Sequence, residues 1–109
     1  MNVSLTDSSK LDIRIISENL NAFNGSGDEF TRGIFDRMDM LKENPLLGSS
    51  LQSKIDIETD YRFLVYTFTK KLNYIIIYRL NHDRTVGYIN RIFDGQEDYL
   101  RVLFGNDVD

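Results

Sequence analysis

Cysteine is absent from this chain of 109 residues, and histidine and proline occur once each. Without thiols there can be neither a disulfide framework nor a thiolate metal site. A single imidazole is too few for an all-protein zinc site. No run reaches the ~18 consecutive apolar residues of a membrane span, and the N-terminus lacks the apolar core of a signal peptide. These absences predict a cytoplasmic protein with no membrane partner and with no metal or cofactor of its own. Low-complexity linkers and internal repeats are missing too, so residues 1–109 are expected to form a single domain.

Positive charge is also in short supply. The net charge of −4 is the wrong sign for sequence-independent binding to nucleic acid, which needs clustered Lys and Arg. It is unevenly spread. Residues 1–61 carry six basic and eleven acidic side chains, a net of −5, whereas residues 62–101 carry seven and four, a net of +3. Asp107 and Asp109 supply the remaining −2. The second half is therefore suited to an acidic partner.

What the chain does have is a dense apolar and aromatic stretch from Tyr61 to Tyr99. Three runs, Tyr61–Thr69, Asn73–Leu80 and Thr85–Phe93, are rich in Ile, Val, Tyr and Phe, residues that fit a pleated and half-buried surface. The breaks between them, Lys70-Lys71-Leu72 and Asn81-His82-Asp83-Arg84, have hairpin-loop lengths. The spacing predicts an antiparallel three-stranded meander.

Ahead of it, Asn2–Leu5 alternates polar and apolar residues and predicts a short edge strand. Thr6, Asp7 and Ser8 are helix N-cap candidates. In Ser9–Phe23, Leu11, Ile15, Ile16, Leu20 and Phe23 form an apolar stripe, with Ile13 at its margin. Asn24-Gly25-Ser26-Gly27 reverses the chain, and Ser26 to Glu29 has capping-box spacing. A second helix presents Phe30, Ile34, Phe35, Met38 and Leu41 on one face and ends at Asn44-Pro45. Leu46–Glu58 reads as a loop, Asp94-Gly95 as a turn and Glu97–Phe104 as a short helix. The fold class is α+β: a strand, a helical hairpin packed on a meander, and a short C-terminal helix.

Few residues point to chemistry. His82 falls in a turn with no evident partner, and Glu97 and Asp98 are adjacent, so their side chains diverge. Three arginines interrupt the apolar strands. Arg62 shares a face with Leu64, Tyr66 and Phe68; Arg79 shares one with Ile75 and Ile77; Arg91 shares one with Ile89 and Phe93. A cation inside an apolar strand must reach solvent or pair with a carboxylate, so each is either a margin residue or a contact for a partner. Tyr61, Tyr66, Tyr74, Tyr78 and Tyr88 read as packing residues.

The segments Asn44-Pro45-Leu46-Leu47-Gly48, Tyr61-Arg62, Asn73–Arg79 and Arg91-Ile92-Phe93-Asp94-Gly95-Gln96-Glu97-Asp98-Tyr99 follow one another in an order that resembles the RelE/ParE superfamily of bacterial type II toxins. The resemblance spans nearly the whole chain and is closer to the ParE-like branch. It implies a cognate antitoxin as partner and one of two activities. RelE-like members cut mRNA on the ribosome with basic and tyrosine side chains on an open sheet face, whereas ParE-like members inhibit DNA gyrase without being nucleases.

Position by position, two alternate lysines of the RelE pattern fall on Arg62 and Leu64. Its strand arginine falls on Ile75, the arginine after the glycine on Glu97, and the C-terminal tyrosine near Leu103 or Phe104. One phosphate-stabilising donor is commonly worth ~10² to 10³ in rate, so an Ile and a Glu in place of two cations favour the gyrase reading. The residues expected to touch target or antitoxin are then Arg62, Arg79 and Arg91, with no catalytic residue. In the alternative, a ribosome-dependent endonuclease, Arg62, Arg79, Arg91 and Tyr99 would act on mRNA.

Overall fold

The computed structural model describes residues 1–54 and 58–105. Residues 55–57 of the loop expected at Leu46–Glu58, and the tail with Asp107 and Asp109, lie outside the described residues. The elements run β1 (Asn2–Leu5), α1 (Asp7–Asn24), α2 (Gly27–Glu43), β2 (Ser49–Ser50), a 3₁₀ turn (Leu51–Ser53), β3 (Arg62–Thr67), β4 (Asn73–Leu80), β5 (Val86–Asp94) and α3 (Tyr99–Phe104). This is the α+β arrangement expected, with one addition. The two-residue β2 extends the meander, giving a five-stranded sheet in the order β1-β5-β4-β3-β2. β1 runs parallel to β5, and the other pairings are antiparallel.

β4 lies at the centre because Tyr74–Tyr78 is apolar on both faces of the strand, and all five of its residues are buried. On the inner face, the helical hairpin supplies Ile13, Leu20, Phe30, Ile34, Met38 and Leu41, which pack on Tyr66, Tyr74, Ile76, Tyr78, Ile89 and Ile92. The outer face is not open. Leu51, Phe63, Ile75, Ile77 and Phe93 form a second cluster there, and Tyr61 together with Tyr99, Leu100, Leu103 and Phe104 of the C-terminal segment packs against it.

The first helix is turned relative to the stripe expected from hydropathy. Ile13 is buried at 9%, whereas Leu11, Ile15 and Phe23 are exposed, Phe23 at 81%. The inward positions are Ser9, Ile13, Ile16 and Leu20, a clean helical period hidden by its first member being a serine. Ser9 is fully buried, and its hydroxyl donates to the Thr6 carbonyl at 2.9 Å, so the polar atom is satisfied inside the core. Among the cap candidates Thr6 is the one used, accepting from the Ser9 N–H at 3.2 Å.

Two further expectations are corrected. Phe35 is exposed, and the small residue Gly33 takes part in the buried face of α2 instead. The capping box at Ser26 and Glu29 does not form. The Ser26 hydroxyl is held by Asn24 Oδ1, and the Gly27 N–H at the start of α2 donates to Asn21 Oδ1 at 2.8 Å. The reversal itself rests on Gly25, which closes α1 at φ +76 with its N–H on the carbonyls of Leu20 and Asn21.

β5 carries a bulge. Arg91 faces Ile77 and Ile89 faces Tyr78, so Asn90 has no partner on β4. Simple alternation therefore fails to place Ile89 with Phe93: Ile89 and Ile92 belong to the inner cluster and Phe93 to the outer one.

Candidate functional site

Arg62 opens β3 opposite Tyr78 and is half-buried. The Tyr78 hydroxyl is a hub: it accepts from the Gly48 N–H at 2.9 Å and from Arg62 Nε at 3.3 Å, and donates to the Pro45 carbonyl at 3.1 Å. Arg62 Nη2 donates to the Gly48 carbonyl and, at 3.5 Å, to the Leu46 carbonyl. The Asn44–Gly48 motif is thus a loop wrapped on a tyrosine. Glycine is required at its end, since a Cβ on Gly48 would lie 2.4 Å from the Phe63 carbonyl oxygen and 2.7 Å from the Tyr78 ring.

Arg79 occupies the outer face of β4. Its guanidinium lies 3.7 Å from Asp60 and stacks over the Tyr61 ring with 5.0 Å to the centroid. Both members of that ion pair are well exposed, so it adds little to stability.

Arg91 has the firmest anchor. Nε and Nη2 donate to the two oxygens of Asp12 at 2.8 and 3.2 Å, and Asp12 Oδ2 also accepts the Ile92 N–H at 2.9 Å. The guanidinium's hydrogen bonding to Asp12, against partial burial, holds Arg91 above its ordinary pKa. Its other face covers the Phe93 ring at 4.7 Å, and Phe93 stacks on Tyr99 with centroids 6.0 Å apart.

The three arginines do not converge. Arg79 and Arg91 belong to the outer face of the sheet, since Ile77 separates Arg79 by two positions and faces Arg91 across the strands. Arg62 belongs to the inner face, at the end of β3 by the loop. The positions where the RelE pattern has cations are equally telling. Ile75 is buried in the outer cluster, Leu64 packs against the inner cluster, and Glu97 is exposed in the turn after β5. Leu103 and Phe104 lie on the outer cluster, where Phe104 meets Tyr61 edge-on at 6.1 Å.

Sequence reasoning missed Asp12, whose only signal was an acid beside Ile13 on the inward side of α1. It also missed a groove of ≈490 Å³ between α1 and the C-terminal half of β5, lined by Ile15, Phe23, Leu72, Tyr74 and Ile92 with Asp12, Arg91, Asp94 and Glu97. Among the described residues no group of three metal-ligating side chains comes together, and no helix is long and apolar enough to cross a membrane.

Residues 3–99 match the family model described as the ParE toxin of the type II toxin–antitoxin system parDE. The fold is also similar to a solved chain of the chromosomal ParDE toxin–antitoxin system from P. aeruginosa. That alignment has a TM-score of 0.66 at 17% identity and covers 86% of this chain and 95% of the other. No curated protein matches the sequence.

Proposed function

The chain belongs to the ParE toxin family of type II toxin–antitoxin systems, and from that premise we propose that it arrests growth by binding DNA gyrase and interfering with its cleavage–religation cycle. The reading needs no nucleophile, metal or cofactor on the toxin. The observation that carries it is the filling of the outer sheet face. Ile75, where the RelE pattern has its strand arginine, packs there with Ile77, Phe63, Phe93 and Leu51 beneath Tyr99, Leu100, Leu103 and Phe104, so no cation stands at that position for a scissile phosphate. An apolar cluster cannot stabilise the charge that develops there.

In this reading Arg79 and Arg91 touch the target from the outer face, and Arg62 contributes at the loop end of β3. Family membership implies an antitoxin partner. We assign it the groove beside α1, where Ile15 and Phe23 leave apolar side chains uncovered. The test pairs gyrase supercoiling with primer extension on mRNA from expressing cells. Inhibited supercoiling with intact messages supports the proposal. Codon-phased cuts with normal supercoiling would point instead to an endonuclease built from Arg62, Arg79, Arg91 and Tyr99.

A further inference from the structure

We propose that the cleft at the loop end of the sheet is a phosphate-binding site in which Arg62, His82 and Arg84 hold the oxyanion. The cleft has a volume of ≈480 Å³, and its polar lining adds Ser50, Thr59, Asp60 and Asn81 to those three. The inference does not depend on which target the toxin engages.

Arg62 brings a positive charge with no carboxylate partner to this cleft. Arg14, Lys42, Arg79, Arg91 and Arg101 each lie against a carboxylate. Arg62 does not: its guanidinium is half-buried and bonded only to neutral groups, the Gly48 and Leu46 carbonyls and the Tyr78 hydroxyl. A partly desolvated cation with neutral partners keeps its full charge and gains from an anion. Those same bonds hold the fork in one orientation, so little side-chain freedom is left to lose on binding.

Arg84 is held on a strained backbone. Arg84 sits at φ +58, and it is the one non-glycine residue with positive φ among those described. The turn that holds it there is braced several times over. Arg84 N–H donates to the Asn81 carbonyl, Asn81 Oδ1 accepts from Val86 N–H, and Asp83 accepts from Thr85 N–H and, at 2.7 Å, from its hydroxyl. A glycine would meet this conformation without strain, so the arginine is kept at a cost that packing does not explain.

Asp60 faces Arg79 at 3.7 Å, and Asp83, whose carboxylate accepts from Thr85, is not among the residues that line the cleft. The side chains of His82 and Arg84 make no hydrogen bond or ion pair among the described residues. Thr59 Oγ1 accepts from the Tyr61 N–H, which leaves its own proton free to donate into the cleft. Two guanidiniums, an imidazole and hydroxyl donors around one concavity suit the tetrahedral oxygens of phosphate. That chemistry is shared by free phosphate compounds and by a nucleic-acid backbone.

His82 is the sole histidine, so its ring signals in a carbon–proton correlation spectrum are assigned by composition. Inorganic phosphate, pyrophosphate and a short DNA duplex are titrated at constant pH against sodium chloride of equal ionic strength. A saturable shift of the His82 signals that chloride does not reproduce is expected. Arg84→Gly, which relieves the backbone strain, and Arg84→Gln, which removes the guanidinium and its charge, should each weaken binding by about tenfold while the protein stays folded. Arg32→Ala, on the exposed side of α2, should leave it unchanged. Saturation at lower concentration by the duplex marks a backbone phosphate as the ligand, and by inorganic phosphate or pyrophosphate a free one. Shifts that are unsaturable, that chloride reproduces, or that survive in both Arg84 variants would overturn the proposal.

Discussion

Asp12 and Arg91 lie 79 residues apart in sequence and meet in a two-pronged ion pair where β1 has ended and the edge of β5 is left unpaired. The same carboxylate takes the Ile92 N–H, a strand-edge donor that the last pairing of β1, Leu5 with Ile89, leaves uncovered. One side chain of α1 therefore does three things: it neutralises a half-buried cation, caps an open edge and ties the helical hairpin to the sheet.

Asp12→Ala is expected to lower stability by about 1–3 kcal/mol, because it strands both the guanidinium and the amide. Urea unfolding measures this, and a loss below ~0.3 kcal/mol would show that water replaces Asp12 without cost. A cycle with Arg91→Ala should give coupling between the two sites. The pair also separates structure from function. Per folded molecule, Asp12→Ala should still inhibit the target, whereas Arg91→Ala should not.

Gly48→Ala should destabilise by at least ~2 kcal/mol, since the new methyl meets backbone and a buried ring rather than a flexible side chain. Tyr78→Phe removes the hub hydroxyl and should cost about 1–3 kcal/mol by leaving the Gly48 N–H unpartnered. If the two variants unfold like the parent chain, the loop is not held in the way described.

Alkaline stability follows from two buried phenols. Burial pushes Tyr66 up, against the opposing pull of Arg37, and burial likewise raises Tyr74, with help from Asp94. In the unfolded chain both ionise near 10. Above that pH the folded state holds more protons, so stability is complete below pH ~10 and is lost as pH rises from there through the folded values. The urea midpoint should fall over this range. A Tyr66→Phe, Tyr74→Phe double variant should fall less steeply, and an identical slope would contradict the assignment.

Much of the fold was legible because its signals are local. The Asn73–Leu80 strand, the Asn44-Pro45 helix stop and the edge strand at Asn2–Leu5 all appear at their expected positions. Hydropathy misled on α1 because its first buried position is Ser9, a polar residue whose hydroxyl is satisfied by the preceding turn. The bulge at Asn90 broke the alternation that placed Ile89 with Phe93. The site was less legible still. Arg62, Arg79 and Arg91 stood out as cations in apolar strands, yet their partners Gly48, Asp60 and Asp12 lie in other elements, beyond any short-range pattern.

Phe23 tests the antitoxin surface. It is 81% exposed on α1, so Phe23→Asp should shift stability by no more than ~0.5 kcal/mol. In co-purification and calorimetry with the cognate antitoxin, the variant should bind at least about tenfold more weakly. Unchanged affinity would move the antitoxin off this groove.

Whether the proposed binding to gyrase occurs is read from gyrase-catalysed supercoiling of relaxed plasmid by purified components. The expected result is dose-dependent loss of supercoiling with toxin alone, reversal by the antitoxin, and loss of the effect in Arg91→Ala at equal folded concentration. Undiminished supercoiling at saturating, folded toxin that still arrests growth would contradict it.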